Sequence, residues 1–247
     1  GTVFFSGCTL KCCFCQNYPI SAEGLGKEIT IEHLAKIFLG LQEQGAHNIN
    51  LVTATQYLPS IRQALELARP ELHIPVVYNS GGYERVETLR SLEGLIDVYL
   101  PDLKYVHADL SKALSGAADY FEFAAPAILE MARQTAPVLL DKDGMIKRGT
   151  VVRHLVLPGH TRESMAVLDW LSQYKERFFV SLMFQYTPMR DIDGYPSLSR
   201  SLTKRECEKV WEYMDRLGIT DGYVQSRRST GTDMIPDFDL TGIEKGE

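Results

Sequence analysis

The stretch Ile96-Asp97-Val98-Tyr99-Leu100-Pro101-Asp102-Leu103-Lys104 carries the pattern from which the fold can be predicted. A largely apolar run with β-branched and aromatic residues ends at two charged side chains, Asp102 and Lys104. Near-continuous apolarity is typical of a strand that is covered on both faces, as the strands of a parallel sheet are. We therefore predict a buried strand over Ile96–Leu100, with ionisable groups just past its carboxyl end.

The same pattern recurs along the chain and alternates with helical periodicity, so that a strand is followed by a helix six times. The predicted strands are Thr2–Phe5, Ile49–Val52, Ile74–Tyr78, Ile96–Leu100, Val151–Leu157 and Phe178–Phe184. The predicted helices are Ile31–Gln44, Pro59–Ala68, Arg85–Leu92, Pro126–Arg133, Arg162–Tyr174 and Lys204–Leu217. Thr203 and Glu206 form a capping box before the last helix. An Asp-Gly pair at Gly144, between two apolar runs, predicts a hairpin.

Alternating strands and helices build either an open doubly wound sheet or an incomplete (β/α) barrel. Polar residues recur at or just past many strand ends, which favours the barrel, because the functional groups of barrels converge from many strands on the carboxyl-terminal face. These residues are Cys8, Thr53, Asn79, Asp102, Lys104 and Tyr186, with Arg153 inside the fifth strand. We predict an α/β fold, a partial (β/α)6 barrel of the TIM type.

The composition predicts one globular domain over residues 1–247. The 26 Lys and Arg against 32 Asp and Glu give a formal charge of −6 without any basic run, which disfavours a nucleic-acid or membrane partner. We expect a cytoplasmic protein, since no apolar run could span a bilayer and no secretory signal opens the chain. The chain starts at Gly1, directly before a strand, so some N-terminal sequence is expected to be missing. The tail Ser226–Glu247 is expected to form a coil or to cap the barrel.

Four of the five cysteines lie within eight residues, which in a reducing compartment indicates a metal or redox site. Cys8, Cys12 and Cys15 follow the first strand, and soft thiolates select zinc or iron–sulfur clusters. A closed zinc site needs a fourth ligand, and no second Cys or His pair supplies one. The lone candidates are His33, His47 and Cys207. A cluster with three protein ligands and one open iron, which implies an exogenous ligand, accounts for the spacing better.

The motif Cys8-x3-Cys12-x2-Cys15, with the aromatic Phe14 before the last cysteine, resembles the signature of the radical S-adenosylmethionine (SAM) superfamily. The resemblance implies that the three cysteines hold a [4Fe–4S] cluster and that SAM chelates its fourth iron. It also implies that an electron from the cluster splits SAM to a 5′-deoxyadenosyl radical. The family fold is a partial (β/α)6 barrel, in which Phe14 would lie against the adenine. Cys13 has no role in this scheme and is interpreted as a buried filler.

The resemblance narrows to the activating enzymes of glycyl radical enzymes, above all pyruvate formate-lyase activase. Asp102 and Lys104 resemble an Asp-x-Lys motif after the fourth strand of these enzymes, and Asn79 and Ser80 begin a polar turn after the third. In the activases these regions surround the SAM carboxylate and a monovalent cation. Arg153 resembles a fifth-strand arginine that reaches SAM, and a guanidinium fork suits a carboxylate. The alternatives are an ordinary ion pair of Asp102 with Lys104 and pairing of Arg153 with an acidic core neighbour.

The chain departs from the activase pattern at two strand ends. Radical SAM enzymes commonly end the second strand with Gly-Gly-Glu, which binds the SAM amino group, whereas this chain reads Thr53-Ala54-Thr55. The threonine hydroxyls or nearby carbonyls would supply the acceptors instead. Tyr186 lies where the sixth strand meets the adenosine, but Thr187 replaces the activase histidine. His154 alternates with Arg153 along the strand and is expected to face the helices with a structural role.

These patterns lead to an enzyme that cleaves SAM reductively and abstracts hydrogen from a macromolecule, a glycine Cα of a glycyl radical enzyme being the first candidate. A reducing protein such as flavodoxin or ferredoxin would supply the electron. The alternatives are radical modification of another peptide or a small molecule, a non-catalytic iron–sulfur electron carrier, and a zinc-stabilised interaction module. The open ligand count argues against the last two.

Overall fold

The structure, a computed structural model, describes residues 1–225 and 236–243. The strands are β1 (Thr2–Phe4), β2 (Ile49–Val52), β3 (Val76–Ser80), β4 (Val98–Pro101), β5 (Leu139–Leu140), β6 (Ile146–Leu155), β7 (Phe179–Met183) and β8 (Gly222–Gln225). The α-helices are α1 (Tyr18–Ser21), α2 (Ile31–Glu43), α3 (Leu58–Ala68), α4 (Val86–Arg90), α5 (Ala108–Ser115), α6 (Tyr120–Thr135), α7 (Thr161–Ser172) and α8 (Lys204–Arg216). Two 3-10 turns lie at Thr55–Tyr57 and Pro196–Ser199.

The sheet follows chain order, β1-β2-β3-β4-β6-β7-β8, and every neighbouring pair along this path is parallel. A doubly wound sheet would reverse its strand order at a switch point, and this sheet does not. The predicted α/β fold of the partial TIM-barrel type is therefore confirmed. In the part of the chain that the structure describes, the parallel strands number seven rather than the predicted six, because β8 extends the sheet beyond β7.

Three elements escaped the sequence analysis for physical reasons. All four residues of β8 are exposed, so it lacks the apolar run that marks a covered strand. The helix α5 is only eight residues long, and α1 only four. Helix α6 begins at Tyr120, six residues before its predicted start at Pro126, and continues through that proline. The predicted hairpin is present, since β5 pairs antiparallel with β6 around a turn that closes on Asp141.

The tail can be described only over residues 236–243, where the ring of Phe238 meets the ring of Phe4 edge-on at a centroid distance of 5.3 Å. This part of the tail therefore lies against the first strand. The remainder of the tail, residues 226–235 and 244–247, lies outside the described residues. Within the described ranges no helix has the length and apolarity needed to cross a membrane.

His154 faces the helices, as predicted, and joins β6 to two neighbours. Its Nδ1 lies 2.7 Å from the carbonyl oxygen of Leu103, and its Nε2 lies 2.9 Å from Oγ of Ser164 on α7. Burial lowers the pKa of the imidazole, which favours the neutral ring. A neutral ring has one N–H, so Nδ1 donates to the carbonyl and Nε2 accepts from the serine. The residue is thus a fully bonded part of the core.

Tyr120 of α6 holds together two loops at the carboxyl end of the sheet. Its buried hydroxyl accepts from the backbone N–H of Lys104 (3.0 Å) and lies within donating distance of the carbonyls of Gly81 (2.8 Å) and Asp102 (2.7 Å). Gly82 completes this contact with a left-handed φ of +80°, and a Cβ there would overlap the carbonyl of Asp102. One phenol therefore fixes the loops that follow β3 and β4.

Replacing Tyr120 by Phe is expected to destabilise the fold by about 1–3 kcal/mol, because it leaves a buried N–H and two buried carbonyls short of a partner. Urea unfolding followed by circular dichroism measures the change. The matched control is Tyr57→Phe, which removes the hydroxyl of an exposed tyrosine and should leave the free energy of unfolding within about 0.5 kcal/mol. Equal effects of the two substitutions would contradict the role given to Tyr120.

Candidate active site

The polar residues singled out in the sequence gather at the carboxyl edge of the parallel sheet. Thr53 directly follows β2, Asn79 and Ser80 end β3, and Asp102 directly follows β4. Arg153 lies inside β6, which extends further than β4. It is therefore level with Asp102, with which it forms an isolated parallel bridge. Cys8 and Tyr186 follow β1 and β7 on the same side. The topology thus brings all of these predicted positions to one edge.

A buried ionic group occupies the centre of this edge. Lys104 Nζ lies 2.5 Å from Oδ2 of Asp102, and Arg153 Nη2 lies 2.8 Å from Oδ1. The side chains are 16% (Asp102), 19% (Lys104) and 25% (Arg153) exposed, so water screens these charges only weakly. Arg153 Nη2 also donates a hydrogen bond to Oδ1 of Asn79 at 2.6 Å. The pairing of Arg153 with an acidic neighbour, one of the alternatives above, is present in this arrangement.

The pKa values of this group follow from the competition between burial and charge. Burial alone would raise the pKa of Asp102, but the cations of Arg153 and Lys104 outweigh it and hold that pKa below its ordinary value. Burial alone would lower the pKa of Lys104, and the carboxylate of Asp102 raises it instead. Asp102 and Lys104 are therefore both charged near neutral pH, and with the guanidinium of Arg153 the group carries one net positive charge.

The three cysteines of the predicted motif lie on one loop between β1 and α1. Cys12 Sγ accepts from the hydroxyl of Ser115 at 3.1 Å, Cys8 Sγ accepts from a backbone N–H at 3.4 Å, and Cys15 Sγ lies 3.3 Å from another hydroxyl. Burial raises the pKa of the Cys12 thiol. Burial also raises the pKa of the Cys8 thiol, and the nearby sulfurs of Cys12 and Cys15 raise it further. The three sulfurs are therefore within electrostatic reach of one another.

Backbone hydrogen bonds fix the shape of this loop. The N–H of Lys11 donates to the carbonyl of Ser115 at 3.0 Å, and the N–H of Cys13 donates to the carbonyl of Leu114 at 2.9 Å. Both carbonyls belong to the last turn of α5, whose own hydrogen bonds leave them available. The loop is thus attached to a helix rather than suspended in solvent.

Cys13 lies between the second and third cysteines of the motif. It is half-buried rather than buried, which corrects our interpretation of it as a buried filler. Its carbonyl accepts from Nε of Arg190 at 2.9 Å, and that guanidinium lies 4.1 Å from the ring centroid of Tyr18. The segment after β7 is thereby fastened over the cysteine loop. Cys207 lies on α8.

The described residues contain no set of three Cys, His, Asp or Glu side chains arranged around a single metal ion. A [4Fe–4S] cluster makes a different demand, because its thiolate ligands bind separate irons and need not converge on one point. Three soft sulfur donors on one anchored loop fit that demand.

Phe14 and Tyr186 come together beside the cysteine loop, as the sequence analysis placed them. Their ring centroids lie 6.3 Å apart, and both side chains are almost completely buried. The hydroxyl of Tyr186 donates to the carbonyl of Leu198 at 2.7 Å, which fixes the ring. Their contact with an adenine stays a prediction.

Comparison with known proteins identifies the family. A family model described as the radical SAM superfamily matches residues 2–171, which is more than half of the chain. The chain belongs to the radical SAM superfamily. Membership implies an enzyme that uses a [4Fe–4S] cluster and SAM.

Individual relatives of this radical SAM chain support the fold. It is 33% identical over 228 residues to the uncharacterized protein MJ0674 of Methanocaldococcus jannaschii, covering 88% of this chain and 62% of that protein. Streptococcus suis SuiB bound to the precursor peptide SuiA has a TM-score of 0.60 at 11% identity, over 91% of this chain and 48% of SuiB. Native anSMEcpe with bound AdoMet has a TM-score of 0.59 at 14% identity, over 90% of this chain and 64% of that one. This chain spans less than two thirds of the length of each of them.

The place of the radical SAM Gly-Gly-Glu motif has an unusual backbone here. Thr53 adopts a φ of +60°, a left-handed conformation that costs a β-branched residue about 1–2 kcal/mol and that glycine adopts freely. Its carbonyl accepts from Nε2 of Gln56 (3.0 Å), and the same amide nitrogen lies 2.8 Å from the carbonyls of Ser6 and Gly7. The end of β2 thus keeps a conformation that suits glycine, although threonine occupies it.

Glu84 is a candidate residue that the sequence analysis missed. Its carboxylate is buried between the ends of β2 and β3, where Oε1 accepts from the hydroxyls of Thr55 (2.7 Å) and Tyr78 (3.0 Å). Burial raises its pKa to about 7, although these hydrogen bonds lower it. Oε2 is buried without a hydrogen-bond partner. The sequence carried no signal for this role, because Glu84 reaches the site only through contacts with Thr55 and Tyr78 that form in the folded chain.

The raised pKa of Glu84 predicts a pH-dependent stability. The folded value of about 7 lies above the ordinary 4.5, so the folded state holds this proton more tightly. The stabilising contribution is complete below pH 4.5 and is lost as the pH rises through 7; it amounts to roughly 3 kcal/mol at most. Glu84→Gln should remove this slope in urea unfolding between about pH 5 and pH 8.

The matched control is Glu87→Gln, which changes an exposed carboxylate on α4 and should leave the slope of the wild-type chain in place. An unchanged pH dependence in Glu84→Gln would mean that Glu84 titrates as an ordinary carboxylate.

Proposed function

We propose that this radical SAM enzyme generates a radical on a partner polypeptide, with a glycine Cα of a glycyl radical enzyme as the hydrogen donor. The observation that carries the cofactor chemistry is the anchored loop that holds the three cysteines beside a buried cationic group. When bound, the cluster and SAM supply a 5′-deoxyadenosyl radical that abstracts hydrogen. Cys8, Cys12 and Cys15 hold the cluster in this proposal, and Cys13 and Cys207 do not.

Unsatisfied polar atoms around the edge of the sheet support a SAM site there. Among the described residues at this edge, Glu84 Oε2 and Arg153 Nε are buried without a hydrogen-bond partner. Such atoms carry a desolvation cost unless a ligand or water satisfies them. Their chemistry matches the amino-acid end of SAM, since Arg153 Nε can donate to a carboxylate and Glu84 Oε2 can accept from an ammonium.

The remaining proposed contacts follow from the same edge. The net positive charge of the Asp102 group attracts a carboxylate, and Asn79 holds Arg153 in the required orientation. The adenine would lie beside Phe14 and Tyr186, whose rings are in contact with each other. Thr53 and Ser80 lie at the ends of β2 and β3, and Oγ of Ser80 accepts a hydrogen bond from the N–H of Gly82 at 3.2 Å. A monovalent cation bound at Asp102 would share the carboxylate of Asp102 with the ammonium group of Lys104.

A polypeptide substrate is supported by the edge of the sheet at β8. Among residues 1–225 and 236–243 no strand pairs with the outer side of β8, and Tyr223 and Val224 are exposed. An open strand edge of this kind is the usual surface for adding an extended strand. SuiB, which shares the fold, is found with a precursor peptide. A reducing protein such as flavodoxin or ferredoxin would deliver the electron. Activity on another peptide or a small molecule is the alternative.

Single replacements of the cysteines test the cluster ligands. After anaerobic reconstitution of the full chain, Cys8→Ala, Cys12→Ala and Cys15→Ala should each lose most of the bound iron and sulfide, because three thiolates must share the cluster. Cys13→Ala and Cys207→Ala are the controls and should retain the wild-type content. A loss in Cys13→Ala as complete as in Cys12→Ala would overturn the assignment.

Electron paramagnetic resonance tests the substrate. The reduced enzyme with SAM and a candidate glycyl radical protein should give a glycine-centred doublet, and replacing the target glycine of the partner by alanine should abolish it. If SAM is cleaved to 5′-deoxyadenosine without the doublet, the substrate is another peptide or a small molecule. If the cluster is present and SAM stays intact, the chain acts as an iron–sulfur carrier.

A further inference from the structure

The last residue of α5 lies directly against Cys12, the second cysteine of the motif. The hydroxyl of Ser115, which is 1% exposed, is 3.1 Å from Sγ of Cys12. The helix ends there because Gly116 takes a left-handed φ of +73°, which turns the chain away. The backbone carbonyl of Ser115 is held by the N–H of Lys11 at 3.0 Å. The position of this hydroxyl is therefore fixed from both sides.

A second hydroxyl determines the direction of this contact. The phenol of Tyr105, which is fully buried, lies 2.8 Å from Oγ of Ser115. A serine hydroxyl has one hydrogen, so if it donates to the sulfur it accepts from Tyr105. Burial first, and the thiol of Cys12 second, raise the pKa of Tyr105, so this phenol keeps its proton and remains a donor. The order is Tyr105 to Ser115 to Cys12, each hydroxyl polarising the next.

Such a chain acts on the charge of the sulfur. Hydrogen bonds to the thiolate sulfurs are among the features that set the reduction potential of an iron–sulfur cluster. A donor stabilises the reduced form more than the oxidised form, because the reduced form carries one more negative charge. The contacts of the other two thiols differ from that of Cys12. The donor to Cys8 is a backbone N–H, and the hydroxyl beside Cys15 can be either donor or acceptor.

We infer that Ser115 and Tyr105 are positioning residues that raise the reduction potential of the cluster through the sulfur of Cys12. The inference rests on the proposed function, in which Cys12 is a cluster ligand. It assigns to α5 and to the segment after β4 a part in electron uptake that the cysteine motif does not reveal.

The test is an anaerobic redox titration of the reconstituted full chain, followed by the electron paramagnetic resonance of the reduced cluster. Ser115→Ala should lower the ratio of reduced to oxidised cluster about tenfold at the wild-type midpoint potential, which is about 59 mV for a one-electron couple. Tyr105→Phe should shift the ratio in the same direction by less, because Ser115 still donates. Ser111→Ala is the matched control: it removes a buried hydroxyl one turn earlier in α5, which donates to the carbonyl of Ala108.

The outcomes separate this inference from the proposed function. Unchanged midpoints in Ser115→Ala and Tyr105→Phe, with wild-type iron and sulfide content, would overturn the inference and leave the proposed function intact. A shift of equal size in Ser111→Ala would also overturn it, since the effect would then belong to the helix. If Ser115→Ala fails to hold a cluster, the midpoint potential of Tyr105→Phe alone tests the inference, and an unchanged midpoint in that variant would overturn it. If the wild-type chain itself holds no cluster, both proposals fall.

Discussion

The carboxylate of Asp102 is the interaction on which the arrangement of the site depends. Asp102 follows β4. It forms one ion pair with Arg153 of β6 and another with Lys104, which lies two positions later in the same loop, so its charge connects neighbouring elements. A buried carboxylate of this kind is costly unless it is paired, and removing one partner of a buried group leaves an uncompensated charge. Arg153 is in turn oriented by Asn79 of β3. The ends of three adjacent strands, β3, β4 and β6, are therefore connected by one ionic and hydrogen-bonded group in addition to their backbone pairing.

Side chains from distant parts of the chain perform a similar task for the backbone. Gln56 ties the end of β2 to the loop after β1, Tyr120 ties the loops after β3 and β4, and Arg190 ties the segment after β7 to Cys13. Each of these contacts is made to carbonyl oxygens that no strand or helix uses. Because the bonds are to backbone, they fix the loops without occupying the side chains that face the edge.

The parts of this architecture that can be predicted from sequence are those governed by local periodicity and spacing. Buried parallel strands such as β4 are apolar on both faces, and the cysteine spacing is a property of one loop. β8 was missed because an exposed edge strand has no apolar run, and α6 was shortened because Pro126 is tolerated inside it. Glu84 and Ser115 were missed because each belongs to the site only through contacts formed in the folded chain. Long-range proximity of that kind has no signature in an isolated sequence.

The attachment of the cysteine loop to α5 has a consequence for the biosynthesis of the protein. Cys12 and Ser115 are separated by 103 positions, so the cysteines leave the ribosome long before the helix that shapes their loop. During that interval the N–H groups of Lys11 and Cys13 lack the carbonyls that hold them in the folded protein. The loop geometry described above therefore exists only after the first four strands and α5 have been translated and have folded together, and a nascent chain shorter than this presents its thiols in an unshaped segment.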